Sequence, residues 1–113
     1  MKRQLLQMED PVFGPGEVKT AKAPITVSPA GLACEAELFL GPNESTKVAT
    51  SGIVTFISTG LQQQVGLPVS MPAGGAIYHV YLDLYAGGYL LAAFQATEDV
   101  TIPSGSVGPI TWE

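Results

Sequence analysis

The sequence is poor in charge and in cysteine, and it contains no long apolar run. Charged residues make up 13% of the 113 residues, about half of the usual share. The single cysteine, Cys34, excludes an intrachain disulfide framework and a zinc site built from cysteines. No stretch approaches the roughly 20 apolar residues that a membrane-spanning helix needs, so no such helix is predicted.

Positive charge is absent from more than half of the chain. The sequence contains five Lys and Arg residues and ten Asp and Glu residues, which gives a net charge of −5. The last basic residue along the chain is Lys47. Nucleic acids and anionic membrane surfaces are held by clusters of basic side chains. We therefore expect neither a nucleic acid nor a membrane among the partners.

The first residues do not match a secretion signal. Lys2 and Arg3 are followed by Leu5 and Leu6, but Gln7 interrupts the run, whereas a signal peptide needs about 7–15 apolar residues there. The sequence therefore predicts synthesis in the cytoplasm without a signal peptide. The expected mature location is a virion or an extracellular assembly.

Glycine and proline are abundant, and short apolar–polar alternations recur along the chain. Thirteen Gly and nine Pro residues argue against a helix bundle, and a hydrophobic share of 46% argues against disorder. In residues 32–40 the even positions are apolar, while Glu35 and Glu37 lie opposite, which is typical of a half-buried strand. We predict an all-β domain, an antiparallel two-sheet sandwich of about 7–9 short strands. A small closed barrel is the second choice.

Individual strands can be placed by their composition. Pro68 puts the strand of residues 63–71 at a sheet edge, because proline cannot donate a ladder hydrogen bond. Residues 52–59 are rich in β-branched residues and largely apolar on both faces, which favours a central strand. A glycine-containing loop joins the two most clearly predicted strands, residues 76–85 and 89–97, into a hairpin. Residues 107–113 are a candidate for one more strand.

Residues 1–24 are predicted to form an extended N-terminal arm, and residues 25–113 a single β-sandwich domain. The arm contains Pro11 and Pro15, and its apolar positions follow no sustained period. Three interpretations remain open: a frayed terminus, an arm that orders against a neighbouring subunit, and an edge strand of the same domain. Phe13 favours docking over fraying, because an aromatic side chain gains from burial. Deleting residues 1–24 is expected to leave the domain folded but to weaken assembly.

The tyrosines are concentrated in one hairpin. All four tyrosines fall within the twelve residues 78–89, and tyrosine is favoured in interfaces because its ring is apolar and its hydroxyl tolerates water. We therefore predict an aromatic contact face, although coverage of both hairpin faces within the domain is the open alternative. The predicted interface residues are Phe13, Ile77, Tyr81, Tyr85, Tyr89 and Leu91.

No group of residues indicates catalysis. Cys34 lies on the apolar side of its strand and is interpreted as a core residue. His79 and Asp83 share a strand face four residues apart, which separates them by about 13 Å. We predict no catalytic residue, no metal site, no cofactor and no enzymatic activity.

One stretch resembles a known architecture. Residues 67–75 form an apolar strand with a Pro/Gly turn, and residues 78–83 lead into a hairpin. This arrangement resembles the immunoglobulin-like sandwich modules of adhesion proteins, surface-layer proteins and phage virions. The resemblance implies an immunoglobulin-like fold over residues 25–102. The Cys…Trp…Cys set of antibody domains is absent, because Cys34 is alone and Trp112 is near the end of the sequence, so no binding residue is carried over.

These features together predict a non-enzymatic structural protein. It would self-associate or decorate a larger assembly, such as a virion or a surface filament, through the arm and the tyrosine-rich hairpin. The expected partners are copies of the same chain or a larger protein assembly. The alternative is an adhesion or carbohydrate-binding module that uses exposed tyrosines as stacking platforms.

Overall fold

A computed structural model describes residues 3–9 and 11–112. These residues form nine strands and no helix, so the prediction of an all-β chain is confirmed. The strands are β1 (Gln4–Leu6), β2 (Val18–Thr26), β3 (Ala33–Gly41), β4 (Ala49–Thr50), β5 (Val54–Ile57), β6 (Gln62–Ser70), β7 (Ala76–Ala86), β8 (Tyr89–Ala96) and β9 (Val100–Ile102). No described residue lies in a helix long and apolar enough to cross a membrane.

Seven strands form one large sheet around β7. Its order is β1-β8-β7-β3-β4, with β5 also paired to β3 and β9 also paired to β7. The predicted hairpin is confirmed as β7 and β8, which are antiparallel and joined through Gly87 and Gly88, both at positive φ. The register shifts within the hairpin, where Leu84 pairs with Ala92 but Tyr85 pairs with Leu90. Leu91 is therefore a bulge residue without a partner across the ladder.

The other two strands, β2 and β6, form a second sheet that packs on one face of the large sheet. The alternation in β6 turns Val65, Leu67 and Val69 inward, as its period of two requires. Buried residues of both sheets share two apolar clusters. One consists of Ile25, Val27, Cys34, Ala36, Val65, Leu67, Leu82, Leu84 and Ala86. The other consists of Leu40, Ala49, Val69, Met71, Val80, Ala96, Val100 and Ile102.

Two predictions about sheet position have opposite outcomes. Pro68 lies in β6, which pairs only with β2 among the described residues, so the predicted edge position is confirmed. The prediction of a central strand at residues 52–59 is wrong, because β5 is short and pairs only with β3. Ile53 and Ile57 are exposed. The apolar pattern on both faces therefore reflects exposed apolar side chains and not two covered faces.

The N-terminal segment belongs to both sheets. β1 runs parallel to β8, with Gln4 opposite Phe94 and Leu6 opposite Ala96. Further along, the Phe13 N–H donates to the Thr101 carbonyl at 3.1 Å. β2 begins at Val18, so the predicted boundary after residue 24 falls inside a strand. Of the predicted arm, Met1, Lys2 and Asp10 lie outside the described residues.

The last described residues leave the domain. Residues 103–112 contain no strand, and Glu113, the last residue of the candidate strand, lies outside the described residues. The longest dimension of the molecule is 72 Å, against 25 and 22 Å for the other two. The longest strand, β7, has 11 residues and accounts for about 36 Å of that length. The remaining length matches an extended tail that projects from one end of the sheets.

Candidate interaction surfaces

The predicted aromatic face is divided by the fold, because Tyr81 is buried. Tyr81 lies on the outer face of the large sheet, the face turned away from β2 and β6, and is only 4% exposed. It pairs across the ladder with Phe39, and the two rings stack with centroids 5.1 Å apart. Tyr81 is therefore an internal packing residue of the isolated chain and not a contact residue on its surface.

Arg3 covers this aromatic pair. Its guanidinium carbon lies 5.1 Å from the centroid of the Tyr81 ring. The Nη1 group donates to Asp83 Oδ1 at 2.6 Å and to the Phe94 carbonyl at 3.1 Å, and Nε donates to Glu44 at 2.9 Å. Burial acts to lower the pKa of Arg3, but the hydrogen bonds and charges of the two carboxylates outweigh it and raise the pKa. Arg3 thus attaches the N-terminal segment to the outer face.

A second charged group lies beside it on the same face. Glu37 is buried, accepts a hydrogen bond from Lys47 Nζ at 2.7 Å and accepts another from the Thr50 hydroxyl. Burial acts to raise the pKa of Glu37, but these two donors outweigh it and lower the pKa. Lys47 also lies 4.8 Å from the centroid of the Phe39 ring. The outer face is therefore held together by its own paired charges.

Sequence reasoning missed both charged groups. Arg3 is separated by 41 residues from Glu44 and by 80 from Asp83, so no local spacing could show the contacts. The only available signal was the alternation of β3 and β7, which placed Glu37 and Asp83 on the side away from the core. Side chains in such positions need charged partners when they are buried, but the pattern does not say which partners.

The candidate catalytic residues are kept apart. Asp83 accepts a hydrogen bond from Arg3, whereas His79 Nδ1 lies 2.8 Å from Asp99 Oδ1 at a partly exposed site. Cys34 is buried, and its thiol donates to the Leu32 carbonyl at 3.5 Å. Within residues 3–9 and 11–112, no group of three His, Cys, Asp or Glu side chains could hold a metal ion.

Exposed apolar side chains gather at the hairpin end of the large sheet. Ala86 pairs with Tyr89 on one side and with Cys34 on the other, and the neighbouring Ala33 pairs with Ile57. We call the exposed residues of this end the hairpin-end patch: Leu32, Ile57, Tyr89, Leu90 and Leu91. Tyr89 is the most exposed of them, at 76%.

The other predicted interface residues are not part of the patch, although Tyr85 lies next to it, opposite Leu90. Ile77 is exposed, but it pairs with Thr101 at the opposite end of β7, about 30 Å from the hairpin. Tyr85 is half-buried opposite Glu35. Phe13 packs against the core, with Lys19 Nζ 5.6 Å from its ring centroid. Of the six predicted residues, the fold brings only Tyr89 and Leu91 together in the hairpin-end patch.

An apolar groove separates β2 from the N-terminal segment. It consists of two adjoining cavities of about 280 and 390 Å³. Leu38 and Val80 line both cavities, with Met8 on one wall and Ala21 on the other. The small sheet has two strands and covers only part of the large sheet. Among the described residues, no strand pairs with the second side of β2, and the groove lies along that side.

Comparisons with known proteins add nothing to this geometry. No protein-family model, no curated protein and no solved structure matches the chain. The candidate surfaces therefore rest on the residues themselves. They are the hairpin-end patch, the groove beside β2, and the tail of residues 103–112, in which Val107, Ile110 and Trp112 are exposed.

Proposed function

We propose that the chain is a non-enzymatic structural protein that self-associates or decorates a larger assembly, such as a virion or a surface filament. The observation that carries the proposal is the hairpin-end patch, whose five apolar side chains are each exposed at the same end of the large sheet. Clustered apolar surface on a small domain marks an interaction site, because burying it in a partner removes it from water.

The sheet edge beside the patch strengthens the proposal. β1 pairs only with Phe94–Ala96 of β8, so residues 89–93 have no neighbouring strand on that side within the described part of the chain. These five residues contain no charge and no proline, the two features with which proteins commonly protect an edge. An unprotected edge of this kind accepts a strand from another chain.

The N-terminal arm contributes to the same edge. Leu5 in β1 lies opposite Gln95 of β8 and is 76% exposed. The arm is paired with its own domain, and its exposed Leu5 and Leu6 lie on β1, which covers the part of the β8 edge next to residues 89–93. The proposed contact therefore uses both the arm and the tyrosine-rich hairpin.

For the fold we propose an immunoglobulin-like sandwich, since two sheets share an apolar core in a chain of this length. For the function, an adhesion or carbohydrate-binding module remains the alternative. Tyr89 favours it, because an exposed aromatic ring can stack on a sugar. Tyr81 offers no such platform while it is buried.

Native mass in solution, measured by sedimentation velocity over a range of concentrations, tests the proposal. We expect the full chain to form a discrete oligomer or a polymer, and Leu91→Glu to weaken it by placing a charge in the contact. Val48→Glu is the matched control, because Val48 is 46% exposed against 48% for Leu91 and follows the opposite end of β3.

The outcomes separate the two functions. Weaker association in Leu91→Glu with an unchanged Val48→Glu supports the structural role. A full chain that is monomeric at every concentration contradicts it, and glycan binding that is lost in Tyr89→Ala would then favour the binding module.

A further inference from the structure

The projecting tail exposes three apolar side chains, Val107, Ile110 and Trp112. Residues 103–112 are extended and uncharged, and Trp112 is 93% exposed. Ile110 and Trp112 are two residues apart, so in a strand they would lie on one face. Tryptophan has a large apolar surface, so burying its side chain removes much apolar area from water.

The groove has the features of a place for such a strand. The Met71 N–H donates to the Glu17 carbonyl at 2.8 Å. The odd-numbered residues on the β2 side therefore direct their backbone N–H and carbonyl groups towards β6. The even-numbered residues of β2 therefore direct their backbone groups to the open side, because these groups alternate along a strand. Thr20, Lys22 and Thr26 offer both an N–H and a carbonyl there, and Pro24 offers a carbonyl.

The tail cannot easily reach its own groove. β9 pairs Val100 with Tyr78 and Ile102 with Ala76, so the chain runs towards the end of the sheets that lies opposite the hairpin. Ser104 is still close to Gly75, because a Cβ atom added to Gly75 would clash with the Ser104 side chain. Beyond that point residues 105–112 are exposed, and the 72 Å dimension matches a tail that continues away from the body.

We propose that the tail of one copy fills the groove of a second copy, as a strand added antiparallel to β2. This proposal rests on the proposed self-association and names its partner segment. The tail would enter at the hairpin end, next to Thr26, and run towards Lys22 and Lys19. Because the tail leaves its own domain at one end of the sheets and enters the groove of the next copy at the other end, the contact is head-to-tail and builds a ring or a filament.

Charge supports this direction. The tail itself carries no ionisable side chain, and the next residue in the sequence is Glu113. In the antiparallel arrangement the tail's last residues approach the part of β2 that contains Lys19 and Lys22. The hairpin-end patch would lie at the same junction, so one contact would cover both apolar surfaces.

Fluorescence of the full chain tests the proposal, because Trp112 is the only tryptophan. We expect its emission to shift to shorter wavelength as concentration drives the monomer into the oligomer. A chain ending at Ser104, and Trp112→Ser in the full chain, should each raise the dissociation constant by about 30-fold or more, as loss of an anchoring tryptophan does. Ala21→Gln fills the groove and should act likewise, whereas Ala73→Gln in an exposed turn should not.

Three results would overturn the proposal, and they differ in what else they affect. Unchanged association of the chain ending at Ser104 and of Trp112→Ser rejects the tail but leaves the proposed function standing. A full chain that stays monomeric rejects both. A short-wavelength emission from a monomer shows that the tail docks on its own domain.

Discussion

The side chains of Arg3 and Asp83 form an ion pair with 2.6 Å between Nη1 and Oδ1, although 80 residues separate them in the sequence. Both side chains are nearly buried, at 12% and 13% exposure. The pair joins the first described residue to the middle of the central strand. It explains how a segment with three strand residues remains attached to the large sheet.

Replacing Arg3 by Gln should destabilise the fold. Asp83 would remain buried without its partner, and loss of one member of such a pair costs about 2–3 kcal/mol when a little solvent remains. Urea unfolding followed by circular dichroism measures the difference. Lys19→Gln is the control, because Lys19 has an exposed contact of 3.7 Å with Glu17 and lies 5.6 Å from the Phe13 ring centroid, so its replacement should change stability by less than about 1 kcal/mol. Equal stability of the two variants would contradict the role of Arg3.

Glu37 should make stability depend on pH in the acid range. Its pKa is lower in the folded chain than the ordinary value of 4.5, so its contribution is complete above that value and is lost as pH falls through the folded pKa. Glu37→Gln should therefore be less stable than the unaltered chain near neutral pH, and the difference should shrink below about pH 4.5.

Lys47→Met provides the matching test, because Lys47 is one of the two donors that lower the pKa of Glu37. The variant should lose part of the same acid dependence. The measurement is the free energy of unfolding between neutral and strongly acid pH. A gap between the unaltered chain and Glu37→Gln that stays constant with pH would show that Glu37 is not held as an ion by its partners.

Much of the strand pattern could be predicted from the sequence, because alternation depends only on neighbouring residues. The hairpin of β7 and β8 and the edge position of Pro68 follow from such local rules. β1 could not be predicted, since three residues in a parallel pair leave no period to detect. The unpaired edge of β2 could not be predicted either, because it depends on how many strands each of the two sheets contains.

Tyr81→Ala and Tyr89→Ala should affect stability very differently. Tyr81 is 4% exposed and stacks on Phe39, and loss of a buried aromatic side chain costs about 3–5 kcal/mol. Tyr89 is 76% exposed, so its removal should cost less than about 0.5 kcal/mol. Thermal unfolding of monomeric protein measures both. Similar losses in the two variants would contradict the division of the aromatic face.

Deleting residues 1–24 should abolish cooperative unfolding, contrary to the expectation from the sequence. The deletion removes residues 18–24, most of β2, and with them the partner of β6. The apolar side chains of β6 would then lack half of their sheet, and Ile25 and Val27 would lose the strand that positions them. Deleting residues 1–9 is the informative comparison, because it removes β1 and Arg3 but leaves β2 complete. We expect this shorter deletion to unfold cooperatively at a lower urea concentration. A cooperative transition in the longer deletion would show that the large sheet folds without its cover.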